Sequence, residues 1–172
     1  MSQYQNKYRT ETARLKSWDY TNPWWYFVTI CTKNHKEYFG EIKNEKMVLN
    51  ELGKIAEQCW KEIPVHYKPV ELDEFIIMPN HVHGIIILNT VETPYMASLQ
   101  ESKPISLGDV VGKYKAAVTR NVHILGPSDF HWQSRFYDRI IRNEKELFNI
   151  RKYIQLNPLK WELEKDFPEN IE

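Results

Sequence analysis

The sequence predicts an α+β fold, with a ferredoxin-like antiparallel sheet and helices packed on one face of it. The first observation is the order of the elements: strand, hairpin, helix, two strands, helix, strand and helix. The second is the strand at residues 81–88, whose apolar residues on both faces are typical of a central strand covered above and below. With 172 residues, 42% of them hydrophobic, the chain can build one compact domain with a proper core.

The first elements are an arm, a strand and a hairpin. Residues 1–23 are polar and are expected to be extended. Residues 24–32 are β-branched and aromatic throughout, which predicts a strand. Residues 38–42 and 47–49 are expected to pair as a hairpin around a Lys-Asn-Glu turn.

A helix and two strands follow. Asn50 can cap a helix that runs to about residue 67, where apolar residues recur at helical spacing, and Pro64 is expected to end or kink it. Residues 70–78 and 81–88 are the next two strands.

The second half of the chain begins with a segment that lacks periodicity, residues 89–104, which indicates a mobile loop. Residues 106–122 carry an apolar stripe that predicts a second helix, and residues 132–141 are expected to form a strand or an extended segment. Asn143, with a glutamate three positions later, resembles a capping box and starts a third helix that should stop at Asn157 and the proline after it.

The predicted organisation is therefore an N-terminal arm at 1–23, a single domain at 24–161 and an acidic, frayed C-terminal tail at 162–172. The formal net charge is zero, which argues against binding polyanions through overall charge. Cys31 and Cys59 form no Cys-x-x-Cys motif, so a reducing, cytoplasmic setting is expected. Neither a signal peptide nor a membrane-spanning run is found in the sequence, so no membrane partner is expected.

A pair of histidines opens the central strand. His81 and His83 are two residues apart, so both imidazoles share one face of the strand with Ile85 and Ile87. Burying imidazoles in such a place costs free energy unless a hydrogen bond or another polar interaction compensates. The spacing alone is compatible with two interpretations, a hydrogen-bonded pair or a pair of metal ligands.

A tyrosine lies at the edge of the apolar stripe on the last helix. Leu147, Ile150 and Ile154 form that stripe, and Tyr153 flanks it. An edge tyrosine can pack its ring while its hydroxyl faces a cleft. Taken alone, the pattern is more typical of a tyrosine that anchors a helix to a sheet.

Four motifs in order resemble the single-tyrosine HUH transposases, and within them the REP-associated tyrosine transposases. They are Met-Pro-Asn-His-Val-His at 78–83, Ser-Leu-Gly-Asp-Val-Val-Gly-Lys-Tyr-Lys at 106–115, Trp-Gln-Ser-Arg-Phe-Tyr-Asp-Arg-Ile-Ile-Arg-Asn at 132–143, and Tyr-Ile-Gln-Leu-Asn-Pro at 153–158. Each motif is weak alone, but four in this order are specific, and the resemblance covers residues 26–161.

The resemblance implies the HUH fold and a set of roles. His81 and His83 would bind a divalent cation, Tyr153 would be the nucleophile, and Asn157, one turn later, would complete the metal site. Two imidazoles and an amide favour zinc or nickel by ligand softness, but the family implies Mg²⁺ or Mn²⁺, with phosphate oxygens and water as hard ligands.

The implied reaction cleaves and rejoins single-stranded or hairpin DNA through a 5′-phosphotyrosine intermediate. The covalent bond keeps the energy of the broken phosphodiester, so the freed 3′-hydroxyl can reverse the step. Relatives include dimers that exchange the tyrosine helix and monomers that do not, so a homodimer is one of two expected states.

Basic side chains concentrate in the second half of the chain and are expected to contact DNA. The predicted DNA-binding residues are Lys113, Lys115, Arg120, Arg135, Arg139, Arg142 and Trp132. Trp132 could stack on an unpaired base or belong to the core, and a mixed-charge surface is also usual for any soluble domain. Two other functions stay open: a domesticated protein that binds hairpin DNA without cleaving it, and a metal hydrolase or RNA-binding domain supported by fold analogy alone.

Overall fold

A computed structural model describes residues 17–90, 104–126 and 129–166, together with Leu15 and two short paired strands, β1 (Gln3–Tyr4) and β2 (Lys7–Tyr8). Most of the predicted loop, the greater part of the N-terminal arm and the end of the tail lie outside the described residues. No helix among the described residues is both long and apolar enough to cross a membrane.

The main sheet has four antiparallel strands in the order β6-β7-β3-β8. The strands are β3 (Trp25–Cys31), β6 (Val70–Ile77), β7 (His81–Leu88) and β8 (Tyr137–Ile140). β7 pairs with β3 along its length, from Cys31 opposite His81 to Trp25 opposite Ile87. The predicted central strand is therefore confirmed, and a register shift between Leu72 and Phe75 marks a bulge in the edge strand β6.

The predicted hairpin forms a separate sheet of two strands, β4 (Gly40–Lys43) and β5 (Lys46–Leu49). Its turn residues Asn44 and Glu45 both have positive φ, 51° and 60°. This is the conformation that a tight two-residue hairpin turn requires, because it matches the twist of the strands.

The helices are α1 (Glu51–Lys61), α2 (Ile63–His66), α3 (Leu107–Leu125), α4 (Glu144–Gln155) and α5 (Asn157–Asp166). The predicted caps Asn50 and Asn143 are confirmed, because each side chain accepts a hydrogen bond from the backbone N–H three residues on. Ser106 caps α3 in the same way. Pro64 lies in the first turn of α2 and accounts for the break after α1.

The fold class is as predicted, an α+β protein built on an antiparallel sheet, but the helices lie on both faces of that sheet. Val82 and Ile86 of β7 point into a core shared with residues of α1 and α3. Ile85 and Ile87 point the other way and pack against Ile150 and Ile154 of α4. A central strand that is apolar on both faces needs a cover on each, and the stripe of α4 provides the second one.

The ends of the predicted domain continue into ordered structure. The third helix ends at Gln155, close to the predicted stop, but α5 then runs through the expected boundary at 161/162. Glu162 accepts a hydrogen bond of 2.6 Å from the backbone N–H of Glu45 in the hairpin turn. On the N-terminal side, Trp18 Nε1 donates to the hydroxyl of Tyr26, 3.1 Å away, so the last part of the arm packs on the core.

Candidate active site

The histidine pair lies on the face of the sheet that α4 covers. The ring centroids of His81 and His83 are 4.4 Å apart, and His83 is buried. Burial lowers the pKa of His83 from 6.5 to about 3. Burial also lowers the pKa of His81 from 6.5 to about 4, although a hydrogen bond with Asn157 opposes the shift. Both imidazoles are therefore neutral at neutral pH, the form that can donate a lone pair to a cation.

Each imidazole is oriented through its Nδ1 atom. Thr29 Oγ1 lies 2.9 Å from Nδ1 of His83, and Asn80 Oδ1 lies 2.7 Å from Nδ1 of His81. The amide of Asn80 also donates to the backbone oxygen of His35, which fixes which of its atoms faces His81. Since a carboxamide oxygen only accepts, His81 carries its proton on Nδ1 and its lone pair on Nε2. Metal-binding histidines are oriented in the same way.

The hydroxyl of Tyr153 reaches this pair from α4. It lies 3.5 Å from Nε2 of His83, and the two ring centroids are 5.2 Å apart. Phe27 stacks on His83 and meets the ring of Tyr153 edge-on at 6.0 Å. The Tyr153 side chain keeps 37% exposure, and Lys160 Nζ lies 4.8 Å from its ring centroid. The ring is thus held from one side while the hydroxyl faces the histidines.

Asn157 joins the same cluster at the first position of α5. It is buried, and its side chain is hydrogen-bonded with His81. The structure therefore brings together the four side chains that the sequence singled out for metal binding and nucleophilic attack, although they come from β7, α4 and α5.

The donors available to a cation are two imidazole nitrogens and an amide oxygen. No group of three or more His, Cys, Asp or Glu side chains suited to a metal is found among the described residues. His81, His83 and Asn157 nevertheless fit a divalent cation chemically, because the imidazoles are neutral with Nδ1 engaged and the amide adds an oxygen. Water or phosphate oxygens would have to supply the other ligands.

A groove of about 880 Å³ runs beside Tyr153, between α4 and β8. Its lining includes Tyr153, the cations of Arg139, Arg142 and Lys145, the carboxylates of Asp138 and Glu146, and the amides of Asn143 and Asn149. Glu146 links two residues of this lining, since it accepts hydrogen bonds from Arg139 Nε at 2.6 Å and from the backbone N–H of Arg142 at 2.9 Å. The tyrosine therefore borders a concave polar surface that carries three cations and two carboxylates.

The predicted DNA-binding residues fall into separate places. Arg139 and Arg142 line the groove, whereas Lys113, Lys115 and Arg120 belong to α3. The apolar stripe of α3 packs on the face of the sheet opposite to Tyr153. Arg135 is exposed in the segment that leads into β8.

Two of these residues have clear structural contacts. Lys115 Nζ donates to the backbone oxygen of Gln133 at 2.6 Å, and burial lowers the pKa of its ammonium group. The ring of Trp132 packs against Phe39 and Phe130, and its Nε1 donates to the backbone oxygen of Lys115 at 3.2 Å. For Trp132 the contacts favour the interpretation as part of the core.

Sequence reasoning did not identify Thr29, Phe27 or Lys160 as neighbours of the site. Thr29 pairs with His83 across the β3–β7 ladder, a relationship that depends on strand register and leaves no local signal. Asn80 had a signal, because it directly precedes His81 in the Pro-Asn-His turn.

No family model matches the chain. It is 40% identical over 164 residues to a protein of Haemophilus influenzae whose function is not described, a match that covers 88% of this chain and 89% of that one. It is 28% identical over 154 residues to a candidate REP-associated tyrosine transposase of the same organism, covering 87% and 80%. It is 26% identical over 93 residues to a REP-associated tyrosine transposase of Escherichia coli, covering 54% and 47%.

Among solved structures, the chain is similar to a REP-associated tyrosine transposase bound to a REP hairpin. The TM-score is 0.60 at 20% identity, and the match covers 89% of this chain and 74% of that one. This similarity supports the fold. The tyrosine beside a histidine pair is the arrangement that the resemblance to the tyrosine transposases led us to expect. The chain is thus similar in sequence to REP-associated tyrosine transposases, at 26% and 28% identity, and similar in fold to a solved one.

Proposed function

We propose that this protein cleaves and rejoins single-stranded or hairpin DNA with Tyr153 as its nucleophile. The observation that carries the proposal is the approach of the Tyr153 hydroxyl to within 3.5 Å of Nε2 of His83, in a cluster that also holds His81 and Asn157. A tyrosine that only anchored its helix would not need its hydroxyl beside two neutral imidazoles and an amide.

In the proposed step, the phenolic oxygen of Tyr153 attacks the phosphorus of a DNA phosphodiester. A bond forms between that oxygen and the 5′-phosphate, the bond from phosphorus to the 3′-oxygen breaks, and the phenol proton is released as the 3′-oxygen gains one. The reverse attack by a 3′-hydroxyl regenerates the phosphodiester and the free tyrosine, so no external energy is needed.

His81, His83 and Asn157 would hold a divalent cation, Mg²⁺ or Mn²⁺. When bound, such a cation would withdraw charge from the scissile phosphate. The chain's own part is to present two neutral imidazoles whose orientation is fixed by Thr29 and Asn80.

The substrate class follows from the surroundings of Tyr153. The solved relative is described as bound to a REP hairpin. Arg139, Arg142 and Lys145 line the groove beside Tyr153 together with the carboxylates of Asp138 and Glu146, so the groove carries a small excess of positive charge although the whole chain is neutral. A tyrosine carried on a helix must reach an exposed phosphate, which favours single-stranded or hairpin DNA as the substrate.

The test is covalent capture. The protein is incubated with Mn²⁺ and labelled single-stranded DNA from the flanks of its own gene, and adducts that resist denaturation are counted. Tyr153→Phe should keep DNA binding and lose the adduct, whereas Tyr137→Phe, an exposed tyrosine of β8, should keep both. Undiminished capture by Tyr153→Phe would overturn the assignment. Binding without an adduct under any divalent ion would point to the hairpin-binding alternative.

A further inference from the structure

Helix α4 is held to the sheet by an ion pair as well as by its apolar stripe. Arg151 Nε donates to Asp73 Oδ1 at 2.7 Å, and a second guanidinium nitrogen donates to Asp73 Oδ2 at 2.5 Å. The Asp73 side chain lies in the bulge of β6 and is only 16% exposed. One turn further along α4, Gln155 Nε2 donates to Glu74 Oε1 at 3.1 Å. The bulge therefore offers two adjacent acidic side chains to one flank of the helix.

That flank is opposite to the one that carries the tyrosine. At about 100° per residue, Arg151 and Gln155 lie about 40° apart around the helix, and Tyr153 lies about 160° from each. The stripe of Ile150 and Ile154 lies between the two flanks and faces the sheet. The bulge thus holds the helix on the side away from the groove that Tyr153 borders.

The ion pair restricts rotation of α4 about its own axis, a motion that apolar packing restricts only weakly. Contacts between isoleucines have no preferred direction, whereas a bidentate pair between guanidinium and carboxylate does. Side chains extend about 5–6 Å from a helix axis, so a roll of about 20° would displace the tip of a side chain by about 2 Å. A displacement of that size would separate the Tyr153 hydroxyl from His83, which it approaches to 3.5 Å.

We infer that the Asp73–Arg151 pair is a positioning device that sets the rotation of α4 about its axis and so aims Tyr153 at the histidine pair. The inference rests on the proposed role of Tyr153 as the nucleophile. On this inference, Arg151 binds Asp73 and not a DNA phosphate. The bulge in β6 then has a structural role, because it places Asp73 and Glu74 beside α4.

The experiment compares Asp73→Asn, Arg151→Gln, the double variant and Arg151→Lys, with Lys61→Gln as the matched control. Lys61 forms an i,i+4 pair with Glu57 on α1, far along the chain from α4. Single-turnover capture at saturating DNA should fall about 10–100-fold in each of the first three variants, with DNA affinity within about twofold. The double variant should be no slower than either single one, because both remove the same contact. Arg151→Lys, which cannot bind bidentately, should recover capture only in part.

A role in stability alone would lower capture only in proportion to the folded fraction, which urea titration of each variant measures. Capture by the folded Asp73→Asn and Arg151→Gln proteins within about twofold of wild type would overturn the inference. So would a loss confined to DNA affinity in Arg151→Gln alone, which would make Arg151 a DNA contact.

A second readout separates this inference from the proposed function. The nuclear Overhauser effect between the rings of Tyr153 and His83, measured without DNA, should weaken in Asp73→Asn and Arg151→Gln but not in Lys61→Gln. An unchanged effect would overturn the inference whether or not the wild-type protein cleaves DNA. If the nuclear Overhauser effect weakens in the variants but the wild-type protein forms no adduct, the ion pair positions Tyr153 and the proposed role of Tyr153 as nucleophile is rejected.

Discussion

Thr29 and His83 face each other across the β3–β7 ladder, and the threonine hydroxyl lies 2.9 Å from Nδ1 of the imidazole. This contact directs Nε2 of His83 toward the hydroxyl of Tyr153 on α4. A residue outside every recognised motif therefore orients the imidazole of a motif residue. Asn80, which lies within the first motif, orients the imidazole of His81 in the same way.

The first prediction tests that contact. Thr29→Val keeps the shape of the side chain and removes the hydroxyl, so the ring of His83 loses its orienting partner. If His81, His83 and Asn157 bind Mn²⁺ as proposed, the affinity for Mn²⁺, measured by isothermal titration calorimetry, should fall about 10–100-fold without loss of the fold. Thr119→Val is the matched control, because its hydroxyl bonds to the backbone oxygen of Lys115 on α3. Equal Mn²⁺ affinity in Thr29→Val and wild type would exclude an orienting role.

The second prediction concerns the glycine next to His83. A Cβ at Gly84 would lie 2.2 Å from Cζ2 of Trp60, whose side chain is fully buried. Gly84→Ala should therefore destabilise the protein by about 1–3 kcal/mol in urea unfolding, as overpacking does. A Cβ at Gly112, exposed on α3, would meet nothing within 4 Å. Gly112→Ala should instead stabilise by about 0.5–1 kcal/mol, because glycine is a poor helix residue. Equal effects of the two substitutions would contradict this account.

Local patterns predicted most of the elements. The apolar run of β7, the caps Asn50 and Asn143, and the break at Pro64 can each be predicted from a few neighbouring residues. They were confirmed because hydrogen bonds of caps and the two-residue period of strands act over that range.

The relationships that the sequence could not supply are long-range. Thr29 and His83 are 54 residues apart, and Asp73 and Arg151 are 78 apart, so each pair depends on how the strands and α4 assemble. The face of the sheet that α4 covers also depends on long-range assembly, because an apolar stripe on a helix does not determine which face of a sheet the helix packs against. Trp132 shows the remaining ambiguity: an aromatic residue has the same local pattern in a core as on a base-stacking surface.

The third prediction is a pH dependence of stability. The hydrogen bonds from Arg151 hold the pKa of the Asp73 carboxyl below its ordinary value of 3.8. A carboxyl with a lower pKa in the folded state stabilises the fold above its unfolded pKa, and this contribution is lost as pH falls through the folded pKa. Wild type should therefore exceed Asp73→Asn by about 1–2 kcal/mol in urea unfolding near pH 7. The difference should shrink steadily below about pH 4. A difference that stays constant down to about pH 2.5 would mean that the carboxylate charge does not contribute.

The fourth prediction concerns the groove beside Tyr153. If Arg142 contacts a DNA phosphate there, Arg142→Ala should weaken binding of hairpin and single-stranded DNA alike. It should also reduce the slope of log K against log salt concentration by about 1, as the loss of one phosphate contact does. Fluorescence anisotropy over a salt series measures both. Arg120→Ala on α3 is the comparison, since that helix packs on the opposite face of the sheet. An equal change of slope in Arg120→Ala would extend the DNA contact to α3, and an unchanged slope in Arg142→Ala would remove the groove from the DNA path.

The last prediction concerns Lys160, whose Nζ lies 4.8 Å from the ring centroid of Tyr153. If Tyr153 is the nucleophile, its phenol must carry negative charge during attack, and a fixed cation over the ring stabilises that charge and lowers the barrier without tightening ground-state binding. Lys160→Met should therefore slow single-turnover capture about tenfold, while DNA affinity changes by less than about twofold. Lys160→Arg should retain most of the rate, because it keeps the charge. Lys152→Gln, an exposed lysine directly before Tyr153, should behave as wild type. A loss of affinity rather than rate in Lys160→Met would instead make this lysine a phosphate contact, and equal rates in Lys160→Met and wild type would show that the ring needs no cation.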